Sequence, residues 1–387
     1  MGTQLIRLAI LGSTGSVGRQ ALDVVRGLPD RFEVVALTAG ANLELLRAQV
    51  TEFRPAAIHA HPDPALDEIA RAAGAAVEAL ETIVTRVDVD VVLAATGGLP
   101  ALEPTIAALR AGKRVAIANK ETLVVGGHAV IAALEEGRAR GAELRPVDSE
   151  HSAIWQCLWG EPAGRVERLT LTASGGAFRD YSLDQLDAVT PAQALEHPTW
   201  TMGKKITIDS ATLFNKGLEA LEARWLFDIP LERIDVLQHR ESVIHSMVTF
   251  VDGSVKAQLG EPDMGLPIQV ALTYPDRAPA RPAPPLDLAA RGALHFGAVD
   301  RERFPALEIA LEAGRREDTT AAAVSGADEA AVAHFLGGRC RFTDIPRLLD
   351  LALQTHQPMI NPDLPALLAA EAWGRRVVDE AVAAGVA

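Results

Sequence analysis

The sequence predicts an α/β protein: an amino-terminal doubly wound parallel sheet, a central α+β domain and a carboxy-terminal helical bundle. Three observations carry this. Over residues 1–150, short β-branched runs alternate with amphipathic stretches of helical length, the pattern of a parallel sheet with crossover helices. From His151 to about Pro275 that alternation gives way to mixed signals, and beyond the prolines that follow, the chain is Ala/Leu-rich with helical spacing.

Taken in order, the runs Leu5–Leu11, Phe32–Ala39, Ala56–Ala60, Val89–Ala95, Arg114–Ala118 and Glu143–Val147 are the expected strands of the first domain. Between them, Ala21, Leu22, Val25 and Leu28, then Leu43, Leu46 and Val50, recur at helical spacing. The 151–275 domain holds a Gly-rich stretch at Ser174-Gly175-Gly176, a poorly periodic segment to Lys205, and a helical run from about Ser210 to Trp225. A hairpin follows, Val243–Val251 and Ser254–Leu259, joined at Asp252-Gly253. Pro275, Pro279, Pro282, Pro284 and Pro285 mark 276–300 as a stiff linker, and 301–387 is the expected helical domain.

Composition narrows the function. Of 387 residues, 51 are acidic and 37 basic, a formal charge of −14, so nucleic acid is excluded as a partner by repulsion. No apolar run reaches membrane-spanning length, and the amino terminus lacks a signal-peptide pattern. Cys157 and Cys340 are far apart and fit neither a disulfide framework nor a zinc site. A cytoplasmic setting with no membrane partner is expected.

Gly12-Ser13-Thr14-Gly15-Ser16-Val17-Gly18 closes the first strand and opens the first helix. Glycines there let a pyrophosphate approach unpaired N–H groups at a helix start, which favours a nucleotide and a Rossmann-like fold over an unliganded turn. The end of the second strand, Thr38-Ala39-Gly40-Ala41-Asn42, has no carboxylate for a ribose 2′-hydroxyl, which favours NADP; equally it has no Lys or Arg, and Glu44 is close by.

Asn119-Lys120-Glu121 and Asp148-Ser149-Glu150 each follow a strand, at the edge where open α/β sheets bind ligands. In an extended segment Asp148 and Glu150 point the same way, and a hard divalent ion would relieve their repulsion. An exposed acidic pair at a helix start explains them equally well. In Asp209-Ser210-Ala211-Thr212-Leu213-Phe214-Asn215-Lys216-Gly217-Leu218-Glu219, helical spacing puts Asn215, Lys216 and Glu219 on one face, with Ser210 near the helix start. That suits a phosphate and a third carboxylate ligand; a surface ion pair with an N-cap is the plain alternative.

The strings GSTGSVG, ANKETLV, PVDSEHSAIWQ, SGGAFR, HPTWTMGKKITIDSATLFNKGLE, VIHSMVTFVDGS, LGEPDM and RFTDI, in this order, resemble the 1-deoxy-D-xylulose 5-phosphate reductoisomerase family over almost the whole chain. The resemblance implies NADPH and Mg²⁺, Mn²⁺ or Co²⁺ as cofactors, a sugar phosphate substrate and a homodimer. It places the metal on Asp148, Glu150 and Glu219. It places substrate on Lys120, Ser149, Glu150, Ser174, His197, Ser210, Asn215, Lys216 and Glu219, with Ser174, Ser210, Asn215 and Lys216 at the phosphate. Thr14, Gly15, Ser16, Val17, Gly40, Asn42, Asn119, Glu121 and Gly203 fall on the cofactor site. Lys120, Glu150 and His197 are the expected catalytic residues: Lys120 suits an oxyanion, and Glu150 suits both ligation and proton relay. Two departures stand out. The cofactor loop that is often Gly-Lys-Asn in the family reads Gly40-Ala41-Asn42 here, and where many members carry an Asn-Ala-Asn-Glu stretch this chain has Ser325-Gly326-Ala327-Asp328-Glu329.

Two rival readings make opposite demands. A semialdehyde dehydrogenase-type reductase needs an activated cysteine, for which Cys157 is the candidate; a non-catalytic NADP sensor needs no carboxylate trio. The glycines bounding 174–203 suggest a mobile lid that sets Trp200 against the substrate. His151 and His245 are expected to support the site without touching the reaction.

Overall fold

The computed structural model describes residues 5–162, 164–200 and 202–385, which divide into two compact units. Of the described residues, the first comprises 5–122, 128–152 and 263–285. Its sheet has seven parallel strands: β1 (Ile6–Leu11), β2 (Phe32–Thr38), β3 (Ala57–His59), β4 (Ala76–Val77), β5 (Val91–Ala94), β6 (Arg114–Ile117) and β7 (Glu143–Pro146). They lie in the order β4-β3-β2-β1-β5-β6-β7. All six adjacent pairs are parallel, and Ile10 of β1 sits between Leu37 and Leu93. The order reverses between β1 and β5, so the first strand-to-helix turn opens at a topological switch point. Leu8, Ile10, Leu37, Ile58, Val91 and Leu93 are buried among helix residues Leu22, Val25, Leu46 and Ile69. The two-residue β4 has no run of its own in the sequence; it forms because β3 offers a parallel partner.

Of the described residues, the second unit comprises those within 123–127, 153–262 and 286–385. Its sheet runs β11-β10-β8-β9-β12, with β8 (Val166–Ala173), β9 (Ile234–His239), β10 (Ile244–Phe250), β11 (Val255–Leu259) and β12 (Phe296–Ala298). The expected hairpin is β10–β11, antiparallel, with Gly253 at φ +84°. One face of the sheet (Leu169, Leu171, Val236, Val248) joins the core with the carboxy-terminal helices. Helices Thr320–Leu336 and Leu364–Ala383 cross so closely that a Cβ on Gly326 would lie 1.9 Å from the Glu371 carbonyl oxygen, and one on Gly374 equally close to that of Ala323. Small residues make that approach possible, and they are why this region reads as Ala-rich.

The units group the chain differently from the three expected domains. Helix Gly265–Thr273 belongs to the first unit, where Ile268, Ala271 and Leu272 enter its core and the buried Arg145 donates to the Ala271 carbonyl at 3.0 Å. The central sheet and the carboxy-terminal helices share one core and form one unit. The 276–300 stretch is not one extended linker. Ala278 and Ala280 pack on the first unit, held by the Gln269 amide, whereas Phe296–Ala298 pairs with β9. Among the described residues, no helix is long and apolar enough to cross a membrane.

Candidate active site

The glycine turn is built by close approach. Gly12 takes φ +83°, and a Cβ on Gly18 would sit 2.2 Å from the Gly12 carbonyl oxygen. The turn is tied to the end of β2: Gly12 N donates to Thr38 Oγ1 at 3.0 Å, and the buried Ser13 hydroxyl lies 2.7 Å from Gln49 Oε1. Helix Ser16–Gly27 begins at Gly15 with no side-chain cap, so its first N–H groups remain for an anion, and Thr14, Gly15, Ser16 and Val17 are exposed or half-buried there. This turn fits a dinucleotide pyrophosphate. Gly40 and Asn42 follow β2, and Asn42 caps helix Leu43–Phe53 by accepting from Leu45 N. Asn119 contributes mainly by scaffolding. Its Oδ1 caps helix Lys120–Arg138, and its Nδ2 donates to the carbonyls of Thr96 and Gly98 at 2.6 and 2.7 Å. Glu121, half-buried, is in the first turn of that helix.

Lys120, buried, forms an ion pair with Asp148, and His151, fully buried, has Nδ1 3.7 Å from Asp148 Oδ2. Asp148 and Glu150 do not share an extended segment, as their spacing suggests. Helix Ser149–Leu158 starts between them, Ser152 N donates to the Asp148 carbonyl at 2.8 Å, and Glu150 stands in the first turn. Both carboxylates therefore belong to one helix start. Ser149 donates its hydroxyl to Glu150 Oε2 at 2.7 Å, fixing that carboxylate.

The second unit holds the other group. The expected helical run from Ser210 is two helices, Lys204–Thr212 and Phe214–Phe227, broken at Leu213, whose φ is +62°. Ser210 thus ends one helix instead of starting the next, while Asn215 and Lys216 lie in the first turn of the second. The Asn215 amide donates to Glu219 Oε1 at 2.6 Å, and Lys216 Nζ lies 2.6 Å from Glu219 Oε2 and 2.8 Å from the Thr172 carbonyl. All three are buried, and Asn215 Oδ1 is buried with no hydrogen-bond partner among the described residues.

His197 closes this group. Its Nε2 lies 3.2 Å from both Ser174 Oγ and Ser210 Oγ, while Nδ1 accepts from the N–H groups of Thr199 and Trp200. Accepting at Nδ1 fixes the tautomer with hydrogen on Nε2. Burial, reinforced by Arg179 and Lys216, holds the imidazole pKa down at about 4, so the ring is neutral. Arg179, which no spacing in the SGGAFR string singles out, donates to the Ser174 carbonyl at 2.9 Å and brings a second cation to this place. Gly203 caps helix Lys204–Thr212 from an exposed position.

The 174–203 segment is not loose throughout. Phe178, Leu186, Val189 and Ala194 are in the core, and two short capped helices, Leu183–Leu186 and Pro191–Ala194, fill its middle. Of the described residues in 196–203, none is a core residue; Trp200 there is half-buried, 6.3 Å from the His245 ring, and Thr201 lies outside the described residues. Cys157 is a core residue whose thiol pKa is pushed up by burial, and burial raises Cys340 to about 11; neither is an activated nucleophile.

Family models described as 1-deoxy-D-xylulose 5-phosphate reductoisomerase, its C-terminal domain, and DXP reductoisomerase C-terminal domain match residues 8–127, 144–227 and 259–377 respectively. A curated protein of Shouchella clausii named 1-deoxy-D-xylulose 5-phosphate reductoisomerase is 49% identical over 376 residues, covering 96% of this chain and 98% of its own. One of the same name from a Synechococcus species is 49% identical over 378 residues, covering 95% of each. A crystal structure of DOX-P reductoisomerase in complex with NADPH, fosmidomycin and magnesium superposes with a TM-score of 0.92 at 38% identity, covering 98% of both chains. The Zymomonas mobilis enzyme in complex with NADPH gives 0.88 at 38%, covering 98% of this chain and 99% of that one.

Proposed function

The chain belongs to the 1-deoxy-D-xylulose 5-phosphate reductoisomerase family, and from that premise we propose how its residues divide the work. The protein is an NADPH-dependent reductoisomerase that rearranges 1-deoxy-D-xylulose 5-phosphate and reduces the product to 2-C-methyl-D-erythritol 4-phosphate, with a divalent metal. When bound, NADPH supplies the hydride and the metal polarises adjacent substrate oxygens.

The observation that carries the assignment of roles is the buried group on helix Phe214–Phe227: an amide, an ammonium and a carboxylate, beside two serines joined through His197. Ser174, Ser210, Asn215 and Lys216 hold the phosphate. His197, kept neutral, donates from Nε2 and orders the two hydroxyls. Asp148, Glu150 and Glu219 are the metal ligands, and oxygen-only donors suit Mg²⁺ or Mn²⁺. Lys120, paired with Asp148, steadies developing oxyanion charge, and Glu150, anchored by Ser149, moves a proton. Thr14 to Val17 hold the pyrophosphate, and Gly40, Asn42, Asn119, Glu121 and Gly203 complete the cofactor site. Trp200 covers the substrate from the 196–203 segment.

The protein works as a homodimer in the cytoplasm. Support for the dimer comes from the second sheet, whose face away from the core forms an open recess, half-buried at Thr170, Leu237 and Met247 and exposed at Val255, Ala298 and Arg301. Such a sheet face and its β11 edge are normally covered. The direct test is incubation with 1-deoxy-D-xylulose 5-phosphate, NADPH and Mn²⁺, following absorbance. Oxidation of NADPH that stops in excess chelator is expected; no oxidation would sink the reading.

A further inference from the structure

We propose that His61 recognises the 2′-phosphate of the cofactor and so sets the preference for NADPH over NADH, an inference that rests on the NADPH dependence given above. The need for such a residue arises at the end of β2. In a doubly wound sheet the residues after the second strand meet the adenosine ribose, and a nearby cation is the usual partner of a 2′-phosphate. Here Ala39, Gly40, Ala41 and Asn42 bring no cation, and the exposed Glu44 brings a charge of the wrong sign. Arg47, the next basic residue along helix Leu43–Phe53, is ion-paired with Glu68 at 3.3 Å.

The adjoining strand supplies what β2 lacks. β3 lies parallel to β2, with Thr38 opposite His59. Past the paired residues the two chains stay together: Ala39 N donates to the His59 carbonyl at 2.8 Å and His61 N to the Gly40 carbonyl at 3.4 Å. A Cβ on Gly40 would be 3.9 Å from His61 Cε1, so the imidazole lies over the one position of this turn that has no side chain. The two histidines of the His59-Ala60-His61 stretch are used differently. His59 is half-buried with Nδ1 2.9 Å from the Glu78 carbonyl, whereas His61 is exposed. Asn42 adds neutral donors, since its cap to Leu45 uses Oδ1 and leaves the Nδ2 hydrogens to other partners.

A phosphate seated at Gly40 would thus bring its negative charge to an imidazole N–H and an amide. NADH, with only a hydroxyl there, has no such charge to bring. The preference then resides in a strand-end contact contributed by β3, not in the loop after β2.

Dissociation constants of NADPH and NADH, measured by fluorescence titration of wild type, His61→Ala and His61→Lys, test this without turnover. Wild type should prefer NADPH. His61→Ala should weaken NADPH about tenfold, the worth of one charge-assisted contact, and leave NADH unchanged, while His61→Lys restores the preference. An unchanged NADPH-to-NADH ratio in His61→Ala, or equal weakening of both, would overturn the inference and leave the NADPH reading intact. Absence of any preference in wild type would overturn that reading and the inference with it.

Discussion

In the proposed assignment, the cofactor turn of the first unit and the phosphate group of the second bind anions by different means. Around Gly12, Gly15 and Gly18 the donors are main-chain N–H groups at a helix start, and the glycines matter for the space they leave empty. Around Lys216 and Glu219 the donors are side chains, taken out of water and satisfied by one another, by Thr172 and through His197. A main-chain site tolerates changes of side chain but not of backbone space. A side-chain site keeps its fold under near-isosteric substitution yet loses its chemistry.

The largest expected effect tests the second half of that contrast. Glu219→Gln keeps shape and removes a ligand charge, so kcat should fall by about 10² or more, with Asp148→Asn alike. Full turnover of either variant would break the comparison. Gly18→Ala tests the first half. The added methyl meets the Gly12 carbonyl and Ser13 Cα, backbone atoms that cannot swing aside, so stability should drop by about 1–3 kcal/mol together with NADPH affinity. Denaturant midpoints and cofactor titration on that variant measure both.

Trp200→Ala sharpens the boundary between core and cover. Since Trp200 is half-buried in a stretch without core residues, kcat/KM should fall about tenfold with stability within ~1 kcal/mol of wild type. A loss of about 3–5 kcal/mol would identify a core anchor instead. The smallest effect concerns protonation of His197. Its folded-state pKa of about 4 lies below the ordinary 6.5, so the unfolded chain takes the proton first. This contribution is full above 6.5 and is lost as pH falls toward 4. Between about pH 7 and pH 5 wild type should lose about 1 kcal/mol more stability than His197→Gln, a figure reduced for partial exposure. Identical losses would mean that His197 is not held neutral by the fold.

The sequence foretold the first unit more closely than the second, for the same physical reason. Five of its seven strands are largely apolar and largely buried; the edge strand Glu143–Pro146 carries an exposed Glu143 and a buried Arg145, and Ala76–Val77 is exposed and too short for a pattern. In the second unit no clear apolar run marks Val166–Ala173 or Ile234–His239 as strands, although both lie inside the sheet. In β8, Glu167, Arg168, Thr170 and Thr172 interrupt the apolar run, so it becomes central only through its partners β10 and β9. The break at Leu213 was equally hidden, because no glycine or proline marks a left-handed residue there.

What the sequence by itself determined was local. It specified the glycine turn, the hairpin at Asp252-Gly253, and the three- and four-residue spacing that joins Asn215, Lys216 and Glu219, because each depends on neighbours within a few positions. Tertiary structure alone decided which distant residues complete those pieces. His197 reaches Ser174 across 23 positions, Lys216 reaches Thr172 across 44, and Arg145 holds Ala271 across 126. No periodicity encodes such contacts; they exist only once burial has made each unpaired polar group costly enough to need a partner.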